Sequence, residues 1–305
     1  MLFIVCKIES RCEVRINSAD EKFLKNLLRL PIIFFLFFLL FGCSSTRLYY
    51  NYLDWIISWR LDDYINFNNE QTDWFEQQLD GLLIWHRQDQ LPRYIQFVEQ
   101  FQRDVTRPIT VELLKQRSQT IQDFWRDIMA QAEPDIYHLM LWLAQEQRQV
   151  LFENISKKQE ELAEKYLKLT SDKRQQRRIK QTEKVLKHFI GKLTPEQKTA
   201  LESWAKKLSP SQRLWMENRR TWLTRLQEVL NANESESYKR EQLHRLFVEP
   251  ESFWSKEYRI AVDQNQLITY SLLVTIHEQL TEKQKKHLGK VLGKLKKDFV
   301  YLSNN

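Results

Sequence analysis

A short phrase recurs along this chain, and each copy is built to start a helix. Leu193-Thr194-Pro195-Glu196-Gln197 places threonine at the N-cap, proline at the first helical position and glutamine at the third. Leu208-Ser209-Pro210-Ser211-Gln212 and Leu280-Thr281-Glu282-Lys283-Gln284 repeat it, and Phe67-Asn68-Asn69-Glu70-Gln71 does so with asparagine as the cap. Thr110 and Thr170 open weaker relatives. In such a capping box the cap oxygen accepts from the third amide, and the glutamine reaches back to the cap amide. Proline at the first position lacks only a donor that no intrahelical acceptor would take. Glycine is correspondingly scarce, 5 in 305 residues. That is too few for the turns of a many-stranded β protein or for phosphate-cradling loops.

Apolar residues recur at helical spacing nearly everywhere, as in Leu288, Val291, Leu292, Leu295, Phe299 and Leu302. The expectation is an all-α fold: an elongated multi-helix bundle of about nine helices with no sheet. The helices are expected at 47–65, 69–105, 111–132, 135–169, 171–190, 195–207, 210–231, 237–247 and 251–302, the last divided near Thr281. Glu133-Pro134 and Glu249-Pro250 are expected to force breaks, and 231–237 reads as a polar loop. Without a Pro- or Gly-rich linker, 43–305 is one helical domain or two sub-bundles meeting near 170–190. The tryptophans within 55–85 and 125–142 are expected in the core.

The start of the chain reads as an address. Lys22, Lys25 and Arg29 precede an apolar run over 30–41 that ends in Gly42-Cys43-Ser44-Ser45. These are the basic, apolar and small-residue regions of a secretory signal, over 1–42, with an unusually long basic region. The run is too short for a spanning helix, which needs about 20 residues. Leu40-Phe41-Gly42-Cys43 resembles the bacterial lipobox, with Phe41 bulkier than the residue usual there. The resemblance implies cleavage before Cys43, palmitate-type acylation on it, and, with Ser44 next, sorting to the outer membrane facing the periplasm. An ordinary secretory signal or a short buried apolar segment are the other readings. Cys6 and Cys12 fall in the part to be removed, so the mature chain would hold no disulfide and no thiolate metal cluster.

Two segments carry a family resemblance. One is Tyr49-Tyr50-Asn51-x-Leu53-Asp54-Trp55, continuing through Trp59 to Asp62-Asp63-Tyr64; the other is Trp85-His86-Arg87-x₃-Leu91-Pro92-Arg93-Tyr94. Together they resemble a family of uncharacterised proteobacterial lipoproteins, a domain of unknown function. The resemblance is strongest over 43–150 and implies an all-helical envelope protein without assigning an activity. The Leu-Thr/Ser-x-x-Gln phrases also resemble the short motif of small periplasmic helical stress chaperones, although each is equally a good N-cap.

Residues with catalytic potential are sparse. None of the six histidines pairs with another at i+4, and HExxH, GxSxG, GxxxxGK[ST] and GxGxxG are absent. His86 with Asp89 and His138 with Asp135 read as surface hydrogen bonds. Asp54 and Asp62 share a helix with Trp55 and Trp59. The four could form a sugar- or peptide-binding surface, or the rings could be core while Asp62 and Asp63 bond Arg87 or Arg93. Basic residues gather in 173–187, with Arg174, Arg177 and Arg178, and in 283–297, with Lys294 and Lys297. Each cluster is a binding surface or a solvated face. No cofactor or metal is expected.

The reading that follows is a non-catalytic, lipid-anchored envelope protein with a binding, chaperone-like or structural role. Its partners would be the membrane, through the acyl chains on Cys43, and an unfolded polypeptide, anionic lipid or envelope polymer. Nucleic acid is excluded by the address. The alternative is a cell-wall or glycan hydrolase using Asp54 and Asp62, a weak signal for such chemistry.

Overall fold

A computed structural model describes residues 45–305. Its regular elements are α1 (Ser45–Asn51), α2 (Leu53–Asp62), α3 (Asn69–Trp85), a π turn (His86–Gln90), α4 (Leu91–Asp104), α5 (Val111–Trp142) and α6 (Gln145–Leu167). There follow α7 (Ser171–Ile190), α8 (Pro195–Lys207), α9 (Gln212–Asn231), α10 (Glu236–Val248), a 3₁₀ turn (Pro250–Phe253), α11 (Lys256–Glu278) and α12 (Glu282–Ser303). The fold is all-α, and the described residues contain no strand.

Two large cores organise these helices. The first joins Tyr50 of α1, Leu91, Tyr94 and Val98 of α4, Phe124 of α5, and the inner faces of α7, α8, α11 and α12. The second joins Tyr137 of α5, Phe152 of α6, and residues of α9 and α10. Helix α5 serves both, and the chain crosses between them several times. A smaller cluster around Ile65, Leu139, Leu143 and Leu151 seats the chain after α2 against α5 and α6.

The capping phrases do more than start helices. Gln197 Oε1 accepts from the Thr194 amide (3.0 Å), and Gln284 Oε1 accepts from the Thr281 amide (3.1 Å). The two side chains then bond each other reciprocally, at 3.0 and 2.9 Å. Each spare N–H reaches the carbonyl two residues before the partner's cap, Gln279 (3.2 Å) and Lys192 (2.9 Å). Every donor and acceptor of both amides is used, with Gln197 fully buried. Gly191, at φ 79°, closes α7 and turns the chain into this junction, a backbone conformation that a side chain would strain. The start of α8 is thereby clasped to the start of α12.

The same device recurs between α3 and α6. Gln71 and Gln147 exchange amide bonds at 3.1 and 2.8 Å, and each returns to its own cap amide, Asn68 or Ala144. Gln147 also reaches the Asn66 carbonyl, again two residues before the partner's cap. Ala144 has no side-chain acceptor, so the second copy has no capping signature in sequence.

Several boundaries differ from expectation. The 208–212 phrase does not form a capping box. Asn265 of α11 clasps both peptide groups of Ser209 (2.9 and 3.0 Å), and α9 starts only at Gln212. Pro134 does not break α5, which runs through it to Trp142. A proline inside a helix costs about 3 kcal/mol, but α5 buries Phe124 on one side of it and Tyr137 and Leu139 on the other. Packing on both sides outweighs the local penalty. The stretch expected as one helix over 69–105 is interrupted at His86–Gln90, where the Leu91 amide bonds the His86 carbonyl. The extra residue in that turn precedes Pro92, which has no amide to give and would crowd the carbonyl four residues back. The expected 47–65 helix divides at Tyr52, and the expected 135–169 helix begins only at Gln145.

Replacing Gln197 by leucine should strand the Gln284 amide and the Gln279 carbonyl. We expect a loss of about 1–3 kcal/mol in urea denaturation. Gln197→Leu/Gln284→Leu should lose much less than the sum of the single losses. Additive losses would show that the reciprocal bond carries no coupling.

Candidate functional site

The described chain begins with helices apolar on two opposite sides. On the inner side of α1, Thr46 and Tyr50 are buried. Arg47 donates through Nε to the buried carboxylate of Asp298 on α12 at 2.6 Å, and its guanidinium lies 4.1 Å from the Tyr301 ring centre. These contacts fix α1 to the last helix of the bundle.

Beneath α1 the π turn presents His86 between two tyrosines. The Tyr50 hydroxyl lies 2.7 Å from His86 Nδ1, and the Tyr94 hydroxyl 3.3 Å from Nε2. Tyr94 packs on Phe124 and Phe299. A neutral imidazole has one donor and one acceptor, so one tyrosine donates to the ring and the other accepts from it. Burial, and secondarily Arg87, pushes the His86 pKa down to about 4. Burial pushes Tyr50 up to about 12 against the opposing pull of Arg87, and raises Tyr94 as well. All three groups are therefore neutral near pH 7. Arg87 Nη1 donates to the Asn305 carbonyl at 3.2 Å, while Arg87 Nε and the buried Gln90 Oε1 have no protein partner.

Neither segment suggests this relay on its own. His86 was expected to bond Asp89 at the surface; it faces Tyr50 and Tyr94 instead. One signal was present, since both quoted family segments contain its members, and Pro92 forces the turn that aims His86 inward.

The other candidates are placed as follows. Cys43 lies outside the described residues, as does the 1–42 signal. Asp54 and Asp62 are exposed on α2. Two clefts open elsewhere, one of about 530 Å³ between α6 and α9, and neither is lined by these acids. Trp55 and Trp59 are exposed and stacked on each other, rather than core, because α2 buries none of its residues. Trp142 is likewise exposed. Asp63 bonds Lys158 at 3.0 Å, while Arg93 pairs with Asp127, so the expected pairing of Asp62 and Asp63 with Arg87 or Arg93 does not form. His138 lies against the Trp74 ring.

The basic helices α7 and α12 pack together, and His287 Nε2 lies 3.0 Å from the His188 carbonyl. Their charges have different roles. Arg174 donates to the Leu169 carbonyl at 2.6 Å, closing the turn after α6. Arg177 lies over the Tyr166 ring. Arg178 is half-buried, and burial followed by Arg174 lowers its pKa. On α12 Lys294 is half-buried and Lys297 exposed. Lys283, Lys286 and Lys290 are exposed at helical spacing with Lys297.

The depressed His86 pKa makes stability pH-dependent in a defined direction. Between pH 6.5 and about 4 the unfolded chain binds a proton that the folded chain does not. The contribution is whole above pH 6.5 and falls as pH drops to about 4, by about 1.4 kcal/mol per unit. Urea midpoints measured from pH 7 to 4.5 should show a shallower decline in His86→Gln than in the wild type. An unchanged slope would place the titration elsewhere.

A family of unknown function, DUF6279, matches residues 63–259. The match takes in the π turn and three of the four clasping glutamines but neither α1 nor α12. No curated protein matches, and no solved structure does. The match covers more than half of the chain, and the chain belongs to the DUF6279 family of unknown function.

Proposed function

We propose that this is a lipid-anchored, non-catalytic protein of the bacterial outer membrane. It faces the periplasm and holds an acidic polymer or polypeptide on its last helix. The observation that carries the binding role is the lysine ridge of α12. Lys283, Lys286, Lys290 and Lys297 are spaced by three, four and seven residues, all exposed. Among the described residues none of the four forms an ion pair, unlike Lys285 and Lys296, which meet Glu282 and Glu99. Arg174 and Arg177 of α7 are engaged locally, whereas these four lysines are free to meet a partner.

The sequence around Cys43 supports the anchor. Arg47, four residues beyond it, ties α1 to α12, so acyl chains there would hold the bundle with little slack. Three chains anchor stably where one is marginal. Gln197 and Gln284 of the Leu-Thr-x-x-Gln phrases are consumed inside the bundle, so the reading rests on the lysine ridge.

A palmitate analogue should label the wild type in cells, and Cys43→Ala should lose the label. Labelling that survives the substitution would remove the lipoprotein reading. Crosslinking in the native envelope should capture an anionic partner in a salt-sensitive way, since the screening length falls from about 10 Å at 0.1 M to 3 Å at 1 M salt. Reversing Lys286, Lys290 and Lys297 to glutamate should abolish capture and leave the thermal midpoint nearly unchanged. Unaltered capture would remove the ridge from the binding site.

A further inference from the structure

The outer side of α1 and α2 carries a continuous apolar stripe. Leu48, Tyr52, Trp55 and Trp59 are 57%, 56%, 62% and 51% exposed. They are spaced by four, three and four residues, with Leu48 on α1, Tyr52 at the junction, and Trp55 and Trp59 one turn apart on one face of α2. The Trp55 and Trp59 rings are parallel within 5° with centroids 5.9 Å apart, forming a flat slab. So dense a set of large exposed apolar groups marks an interaction surface rather than ordinary scatter.

We propose that this stripe is a second membrane contact, lying in the interfacial layer of the leaflet that holds Cys43. The proposal rests on the anchoring reading and extends it from attachment to orientation. Three observations select a bilayer as the occupant. The stripe begins five residues after Cys43 and seven after the end of the apolar run over 30–41. Its first turn is therefore delivered to the membrane surface by whichever of the two is held there. Its residues are tryptophan and tyrosine with one leucine, rings with an apolar body and a polar tip that settle at the headgroup level.

The third observation is charge. No basic residue beside the stripe is free to seek an acidic partner. Arg47 is turned inward to Asp298, and Arg60 lies over the Trp59 ring within 4.0 Å of Asp63. Asp62 and Asp63 follow Trp59 at the end away from Cys43, where they stay in water and stop the insertion. The contact is thus apolar, needs no anionic lipid, and is insensitive to salt, in contrast to the lysine ridge. The inner side of α1 is already packed on α12 and α2 packs on α3, so seating the stripe fixes how the whole bundle stands on the membrane.

The test uses the full chain made in a bacterial host, purified and reconstituted in neutral phosphatidylcholine vesicles with brominated acyl chains. Tryptophan emission should contain a component quenched by the brominated lipid, unchanged in 1 M salt. That component should be lost in Trp55→Ser/Trp59→Ser, whose circular dichroism and thermal midpoint should match the wild type because both rings are exposed. Mass spectrometry of the same samples reads acylation at Cys43 separately. Acylated protein with no quenched component overturns the proposal, as does quenching that the double variant retains. Self-association in the absence of lipid that the double variant abolishes also overturns it, by assigning the stripe to a second copy. Quenching that depends on Trp55 and Trp59 without acylation supports the stripe while removing the lipid anchor.

Discussion

The architecture depends on an unusual use of one side chain, the glutamine amide. A capping box ordinarily ends its work at the helix that contains it. Here each glutamine returns one bond to the cap of its own helix and spends the rest of its hydrogen-bonding capacity on a helix that starts 76 or 87 residues away. Two helix N-termini are thereby held face to face, with their orphan amides and the preceding carbonyls satisfied in one network. Because Gln71, Gln197 and Gln284 are buried, a partial match leaves unpaired amides at about 1–3 kcal/mol apiece. Wrong pairings of helices are penalised more than an apolar contact would penalise them. The clasp between α8 and α12 also brings α12 into position to receive α1, so attachment of the N-terminal unit depends on a junction far from it.

What the sequence made legible followed from local rules. Thr194, Thr281, Asn68, Thr110 and Thr170 all cap the helices that their spacing implied, since a cap acts within four residues. What it hid was set by distant packing. Nothing in the sequence says that Gln197 chooses Gln284, or that Asn265 takes the backbone of Ser209 and cancels a box. Pro134 reads as a breaker by every local criterion and is overruled by the cores on either side of it. Trp55 and Trp59 read as core because tryptophan is usually buried. Their exposure became visible only when α2 was seen to bury none of its residues, the inner face at this end being Thr46 and Tyr50 of α1. The candidate site divides in the same way. The residues of the tyrosine–histidine–tyrosine chain were present in the two segments that carry the sequence resemblance, but their meeting required the π turn.

The two cores share one continuous element. Helix α5 spans 32 residues, about 48 Å at helical rise. It gives Phe124 to the first core and Tyr137 to the second. The chain visits these cores alternately, so neither is contiguous in sequence. The exposed lysines of α12 lie on the helix that holds α1 through Arg47 and Asp298, and the exposed tryptophans follow on α2.

The bond between Arg47 and Asp298 joins positions 251 residues apart, and Arg87 reaches the carbonyl of Asn305. In a chain that leaves a ribosome or a translocation pore N-terminus first, the first helix is thus without its seat until the last helix has emerged. Through that interval both of its apolar sides face solvent. Long-range closure of this kind is slow compared with the formation of the helices themselves. Helix α1 is thus made long before the helix that seats it, and its aromatic residues are the ones in most need of shelter until α12 is complete.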